Sequence, residues 1–173
     1  MTDGQRAVAS AAICDAANVL LAARLSPGAI VALYSAKGSE VDTVQIDGFA
    51  RGLGLVVAYP RVLANDRRLA FHAVGLDELA PARFGLHEPS ADAPGIALTD
   101  IAAFLVPGLA FDRSGGRIGW GRGHYDATFA AASPGALRVG LAYECQLIEQ
   151  VACEPHDVSL HIIITEVTTH MVV

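Results

Sequence analysis

Five short apolar runs constrain this chain more than any other feature: AIVALY at residues 29–34, GLVVAY at 54–59, IAAFLV at 101–106, LRVGLAY at 137–143 and LHIIIT at 160–165. A strand with one wet face alternates apolar and polar residues. Runs that scarcely alternate fit strands covered on both sides, the habit of parallel sheets. The stretches between them read partly as helices. Residues 5–24 are Ala-rich and free of Pro and Gly, with Val8, Ile13, Ala16, Leu20 and Ala23 able to line one face, and Ser26-Pro27-Gly28 ends the segment. Shorter helices are predicted over 42–53, weakened by Gly48, and over 123–132, stopped by Ser133-Pro134-Gly135. Residues 69–74 read as a further strand, 81–95 as an ordered surface loop, and 167–173 as a last strand or a subunit contact. Strands separated by helical segments predict one α/β domain over 1–173, with helices on a mainly parallel sheet.

Composition removes several function classes. With 53% hydrophobic and 17% charged residues, the chain is not disordered. A net charge of -6 argues against duplex nucleic acid, which needs a basic face. Lys37 is the single lysine among 12 basic residues, so there is no polybasic membrane tail. The N-terminus lacks a secretory signal pattern. The apolar stretch 101–111 is broken by Pro107-Gly108 and is far short of the roughly 20 residues that cross a bilayer. Cys14, Cys145 and Cys153 show no Cys-x-x-Cys spacing and read as reduced core thiols of a cytoplasmic protein. A monomer with no nucleic-acid or membrane partner is expected.

The chemistry concentrates at residues 107–126, PGLAFDRSGGRIGWGRGHYD, directly after the most hydrophobic strand. Ligands of open α/β sheets bind beyond the carboxyl ends of strands. Alternating Gly119, Gly121 and Gly123 let the backbone approach a ligand and turn N–H groups toward it. Arg117 and Arg122 then favour phosphate, as does a helix starting near Gly123. A mobile glycine hairpin is the plain alternative. A P-loop is excluded, because Lys37 is followed by Gly38-Ser39 without the required upstream glycine. A dinucleotide fingerprint is excluded because the spacing is G-x-G-x-G. Asp126 could hold magnesium against bound phosphates. Asp157 is a second such acid or an ordinary strand cap. Glu40, beyond the strand at 29–34, is a site acid or a helix N-terminal acid favoured by the dipole.

The segments YSAKGSEVDT (34–43), ARFGLHEP (82–89), LVPGLAFDRSGGRIGWGRGHYD (105–126), VGLAYECQ (139–146) and EPHDVSLHIIITE (154–166) together resemble the 5-formyltetrahydrofolate cyclo-ligase family. The resemblance implies a three-layer α/β/α fold of the NagB/ribose-phosphate-isomerase type. It also implies a reaction that turns 5-formyltetrahydrofolate and ATP into 5,10-methenyltetrahydrofolate, ADP and phosphate, with Mg2+. On this resemblance, Arg117, Gly119, Trp120, Gly121, Arg122, Gly123, His124 and Tyr125 hold ATP, with Arg117 and Arg122 neutralising the transferred phosphoryl group. Ser35, Glu40 and Phe84 bind folate, Trp120 and His124 line the face shared with ATP, and the residues from Gly121 to His124 also touch the folate. Asp126 and Asp157 are the magnesium-linked acids.

The sequence departs from the family pattern in three places. His124 stands where a tyrosine is common, and residues 35–37 (SAK) lack an apolar-Pro pattern. An N-terminal helix bearing Lys and Arg is missing, since Arg6 has no lysine near it, so the chain is either shortened or has lost part of its ATP site. That motivates a second reading, a non-catalytic or weakly active folate- or nucleotide-binding paralogue. A sugar-phosphate isomerase or CoA-transferase on the same fold is a third reading, but Glu40 alone does not supply its constellation.

Overall fold

A computed structural model of the protein describes residues 1–172. Helix α1 (Asp3–Arg24) starts at Thr2, whose hydroxyl accepts the Gln5 N–H while the Gln5 side chain accepts the Thr2 N–H. Its buried stripe is Ala9, Ile13, Cys14, Ala17 and Leu21; of the predicted face Ile13 is buried and Ala16 and Leu20 are half-buried against the same core, whereas Val8 and Ala23 are exposed. In an Ala-rich helix, hydrophobicity scarcely distinguishes one face from the next, so the sheet decides which residues are covered. By length and composition α1 could also cross a bilayer, with a mean hydropathy of 1.4. Here that apolarity is used against the core. Burial raises the Cys14 thiol to about 11, which keeps it protonated.

Strand β1 (Ile30–Ala32) is followed by α2 (Val44–Gly52), β2 (Val56–Val62) and β3 (Leu69–Ala73). Short strands β4 (Ala80–Pro81), β5 (His87–Glu88) and β6 (Gly95–Ile96) lead to β7 (Ile101–Val106). The rest comprises β8 (Ala110–Phe111), β9 (Arg117–Ile118), α3 (His124–Ala131), β10 (Leu137–Leu141), β11 (Ile162–Ile164) and β12 (Thr169–Met171). The main sheet runs β12-β11-β10-β7-β1-β2-β3-β6. Pairing is parallel from β11 through to β2 and antiparallel at both ends. The sheet is therefore mixed and mostly parallel.

Period-two alternation sorts its side chains to two faces. Val31, Leu33, Val57, Leu105, Leu141 and Ile162 pack with the buried stripes of α1 and α2. Ala32, Ala58, Phe104, Val106 and Ile163 pack with Phe129 of α3 on the other face. There Phe104 meets Phe71 and Phe129 edge-on, at 5.6 and 5.5 Å between ring centres. Three layers result.

One expectation shifts, and one crossing that the sequence left unassigned takes a shape of its own. Residues 81–95 are not wholly loop: β4 pairs with β5, and β6 extends the sheet beside β3. Between β10 and β11 no α-helix intervenes. The chain instead crosses over the base of the glycine-rich segment, where Ile148 and Leu160 donate backbone bonds to Phe111 and Gly115. The predicted terminal strand forms as β12, antiparallel to β11; Val173 lies outside the described residues.

Candidate active site

The parallel strands direct their carboxyl ends to one edge, and from β1 and β7 the loops 33–43 and 107–123 leave. The second loop is anchored by a buried carboxylate. Asp112 accepts N–H bonds from Ser114 (2.8 Å), Gly116 (3.0 Å) and Val151 (2.7 Å), which tightens the turn and ties it to the β10–β11 crossing. A Cβ at Gly116 would lie 2.7 Å from the Asp112 carboxylate, so only glycine fits there. Asp112→Ala would strand three N–H groups, each worth about 1–3 kcal/mol when unsatisfied. The expected loss is about 3–5 kcal/mol in urea unfolding, with Asp112→Asn losing less.

Beyond β9 the chain rises through Gly121 (φ 76°) and Gly123 (φ 63°), left-handed conformations that side chains resist, and enters α3. Among the described residues, none of the N–H groups of 119–123 donates to another backbone group. Arg117, its side chain 8% exposed, reaches Asp126 at 3.3 Å and lies 5.1 Å from the Tyr125 ring centre. The other Asp126 oxygen accepts the N–H of Val158 at 3.3 Å, bringing Asp126 beside the Asp157 segment. Asp157 accepts the Glu154 N–H at 2.7 Å, and exposed His156 stands 3.8 Å from it. Among the described residues no cluster of three His, Cys, Asp or Glu forms a cage. Both Asp126 oxygens and one Asp157 oxygen already have a partner, and each carboxylate oxygen keeps a further lone pair. That donor set is compatible with Mg2+, which takes one or two protein acids and fills its shell with phosphate oxygens and water.

Facing this ribbon, Glu40 closes a turn in which the Lys37 N–H donates to Oε2 at 2.8 Å and the Glu40 N–H returns to the Lys37 carbonyl at 3.2 Å. Burial raises the Glu40 carboxyl above its usual range, against the Lys37 N–H, the Trp120 side chain and the Lys37 charge. Ser35 and Glu40 line a cleft of about 260 Å3 with Asp42, Thr43 and Leu76. The two loops share one field: burial raises the Tyr125 phenol, Arg117 opposes the shift, and Glu40 adds to it. A wider groove of about 870 Å3 lies elsewhere, between Met1, Val8, Cys145 and Glu166, and holds none of the ribbon's residues.

Two exposed aromatics complete the rim. Trp120 is 71% exposed, with the Lys37 ammonium 5.6 Å from its ring centre. Phe84 is 58% exposed and held at φ 62°, a strained setting for a bulky residue, with the Arg122 guanidinium 4.2 Å from its ring. Ser35, Glu40, Phe84, Trp120 and Arg122 thus meet around one opening, with Arg117, Tyr125 and Asp126 behind the ribbon. His124 is turned elsewhere: its Nδ1 lies 2.6 Å from the Arg67 carbonyl, and its buried Nε2 has no partner among the described residues. Sequence reasoning missed two residues. The Asp-x-x-Gly turn pattern could have revealed Asp112. Lys37 gave no signal beyond being the only lysine.

The family model described as the 5-formyltetrahydrofolate cyclo-ligase family matches residues 2–166. A 5-formyltetrahydrofolate cyclo-ligase of Mycolicibacterium smegmatis is 33% identical over 144 residues, covering 80% of this chain and 74% of that protein. The Escherichia coli K12 protein of the same description is 30% identical over 141 residues, 78% of this chain and 76% of the relative. In fold, the chain is similar to the 5,10-methenyltetrahydrofolate synthetase of Aquifex aeolicus. The TM-score is 0.82 at 24% identity, over 99% of this chain and 85% of that one.

Proposed function

The chain belongs to the 5-formyltetrahydrofolate cyclo-ligase family, and from that premise we propose that its ribbon and Glu40 cleft bring ATP and 5-formyltetrahydrofolate together for cyclisation. The observation that carries this reading is the run of unpaired N–H groups at 119–123, with Arg117 behind it and Arg122 and the Glu40 cleft at the opening in front. Unpaired N–H groups, guanidiniums and a helix start together favour a polyphosphate.

A formamide carbon is a poor electrophile. Its oxygen attacks the γ-phosphorus, the bond to the β-phosphate oxygen breaks, and ADP leaves with that electron pair. N10 then adds to the activated carbon and loses its proton to solvent or phosphate. The C–O bond breaks with its pair on oxygen, giving phosphate and the methenyl bridge. Such a sequence needs charge neutralisation and alignment more than a protein nucleophile. The ribbon N–H groups and Arg117 hold the phosphates, and Arg122 swings from Phe84 toward the transferred group. Glu40 and the Ser35 backbone hold the pterin end, and Phe84 and Trp120 give it flat apolar faces. Asp126 and Asp157 are the residues that would hold Mg2+, which would neutralise phosphate charge.

Purified protein with 5-formyltetrahydrofolate, ATP and magnesium is expected to develop the near-ultraviolet band of the methenyl product. ADP and phosphate should form in equal amounts. No ATP-dependent rise above the protein-free background would overturn the reading.

A further inference from the structure

Lys37 is the only lysine in the chain, and neither the motif nor the fold required it at this point. Three loops converge on it. Its own N–H and carbonyl form the turn that presents Glu40, its ammonium stands 5.6 Å from the Trp120 ring centre, and its Cε lies 3.6 Å from where a Cβ at Gly85 would be. Among the described residues no carboxylate lies within 4.0 Å of the ammonium, whereas Arg6, Arg51, Arg61, Arg68 and Arg117 each have one. The ring contact that holds it, an ammonium over an exposed indole, is among the weaker ones a cation can make, and the Glu40 charge acts on it only from beyond 4.0 Å. A phosphate oxygen is a much stronger partner for an ammonium, which offers three rotatable donors on a flexible stem.

The position is also specific. Trp120 lies at the start of the unpaired N–H run, and Glu40 belongs to the opposite cleft, so the ammonium stands where the two halves of the site meet.

We propose that Lys37 is a further catalytic residue, whose ammonium leaves the Trp120 face to bind the γ-phosphoryl group of ATP as that group passes to the formyl oxygen. The inference rests on the cyclo-ligase reading. Lys37 forms no covalent bond and gives up no proton. It supplies positive charge where the oxygens of the moving phosphoryl group need it, on the folate side, while Arg117 acts from behind the ribbon.

The test compares the parent protein with Lys37→Met and Lys37→Arg. Removing one such donor is expected to lower kcat/KM for ATP on the order of a hundredfold, with KM for 5-formyltetrahydrofolate changed less than about threefold. Lys37→Arg, which keeps the charge, should recover most of the loss. A purely structural role would not produce that split between the two substrates. Trp120 is the only tryptophan, so its fluorescence reads the same event without turnover. Magnesium-ATP should change the emission of the parent, and the half-saturating concentration should rise at least about tenfold in Lys37→Met. If Lys37→Met does not fold, Lys37→Gln replaces it in both measurements. Kinetics within twofold of the parent would overturn the role of Lys37 while leaving the cyclo-ligase reading intact. If the parent shows no turnover, the fluorescence titration decides alone, and an unchanged half-saturation point overturns the proposal.

Discussion

Arg117→Ala is expected to lower kcat/KM for ATP by about a thousandfold or more, the largest effect of any single change in the site. Two losses combine. The first is electrostatic: a guanidinium in a water-poor setting acts on phosphate charge at a low effective dielectric, and removing one such group commonly costs on the order of 100- to 1,000-fold. The second is structural. Arg117 is 8% and Asp126 17% exposed at the side chain, so alanine leaves Asp126 a largely buried acid without a countercharge, held by the Val158 N–H alone, at the start of α3. Breaking a pair of this kind typically destabilises by about 3–5 kcal/mol. It also loosens the carboxylate expected to hold magnesium. Arg117→Lys separates the two, because it keeps a charge near Asp126 but loses the planar fork and the stack on Tyr125. Stability close to the parent with a rate still down by about tenfold or more would assign the loss to phosphate geometry. Turnover within a few-fold of the parent in a folded Arg117→Ala would mean that the triphosphate does not lie against this residue.

Much of this site was legible because its chemistry is local. Glycines at 119, 121 and 123 between arginines 117 and 122 constrain the backbone whatever surrounds them, and Gly121 and Gly123 do take left-handed conformations. The strands were legible for a related reason: runs such as IAAFLV have no polar residue to offer water, so they can only be central. What stayed hidden depends on partners distant in sequence. The buried face of α1 is chosen by the sheet, since alanine on either side of the helix carries almost the same preference. The β10–β11 crossing lacks a helix because its backbone finds partners at Phe111 and Gly115. His124 sits in the motif next to Tyr125, yet its ring is fixed by a carbonyl 57 positions upstream. Lys37 approaches Trp120 across 83 positions, a pairing that no local spacing encodes.

Glu40→Gln should separate stability from activity. Burial raises the Glu40 carboxyl above its value in the unfolded chain, so over the interval between those two values the native state holds the proton more firmly. Stability from this group is thus fully present below the unfolded value and is lost as pH rises through the raised one. Once ionised, the side chain opposes folding. Glutamine keeps an oxygen for the Lys37 N–H and carries no charge to desolvate, so Glu40→Gln is expected to melt above the parent at neutral pH. That advantage should shrink toward zero in acid, where the parent's carboxyl is itself protonated. Activity should move the other way: without the anion that orients the pterin end, kcat/KM for 5-formyltetrahydrofolate should fall on the order of a hundredfold. KM for ATP should change little. Thermal melts from acid to neutral pH, set beside the two KM values, test both halves at once. A variant that melts below the parent at neutral pH and loses both substrates equally would show that Glu40 serves only to hold the 37–40 turn.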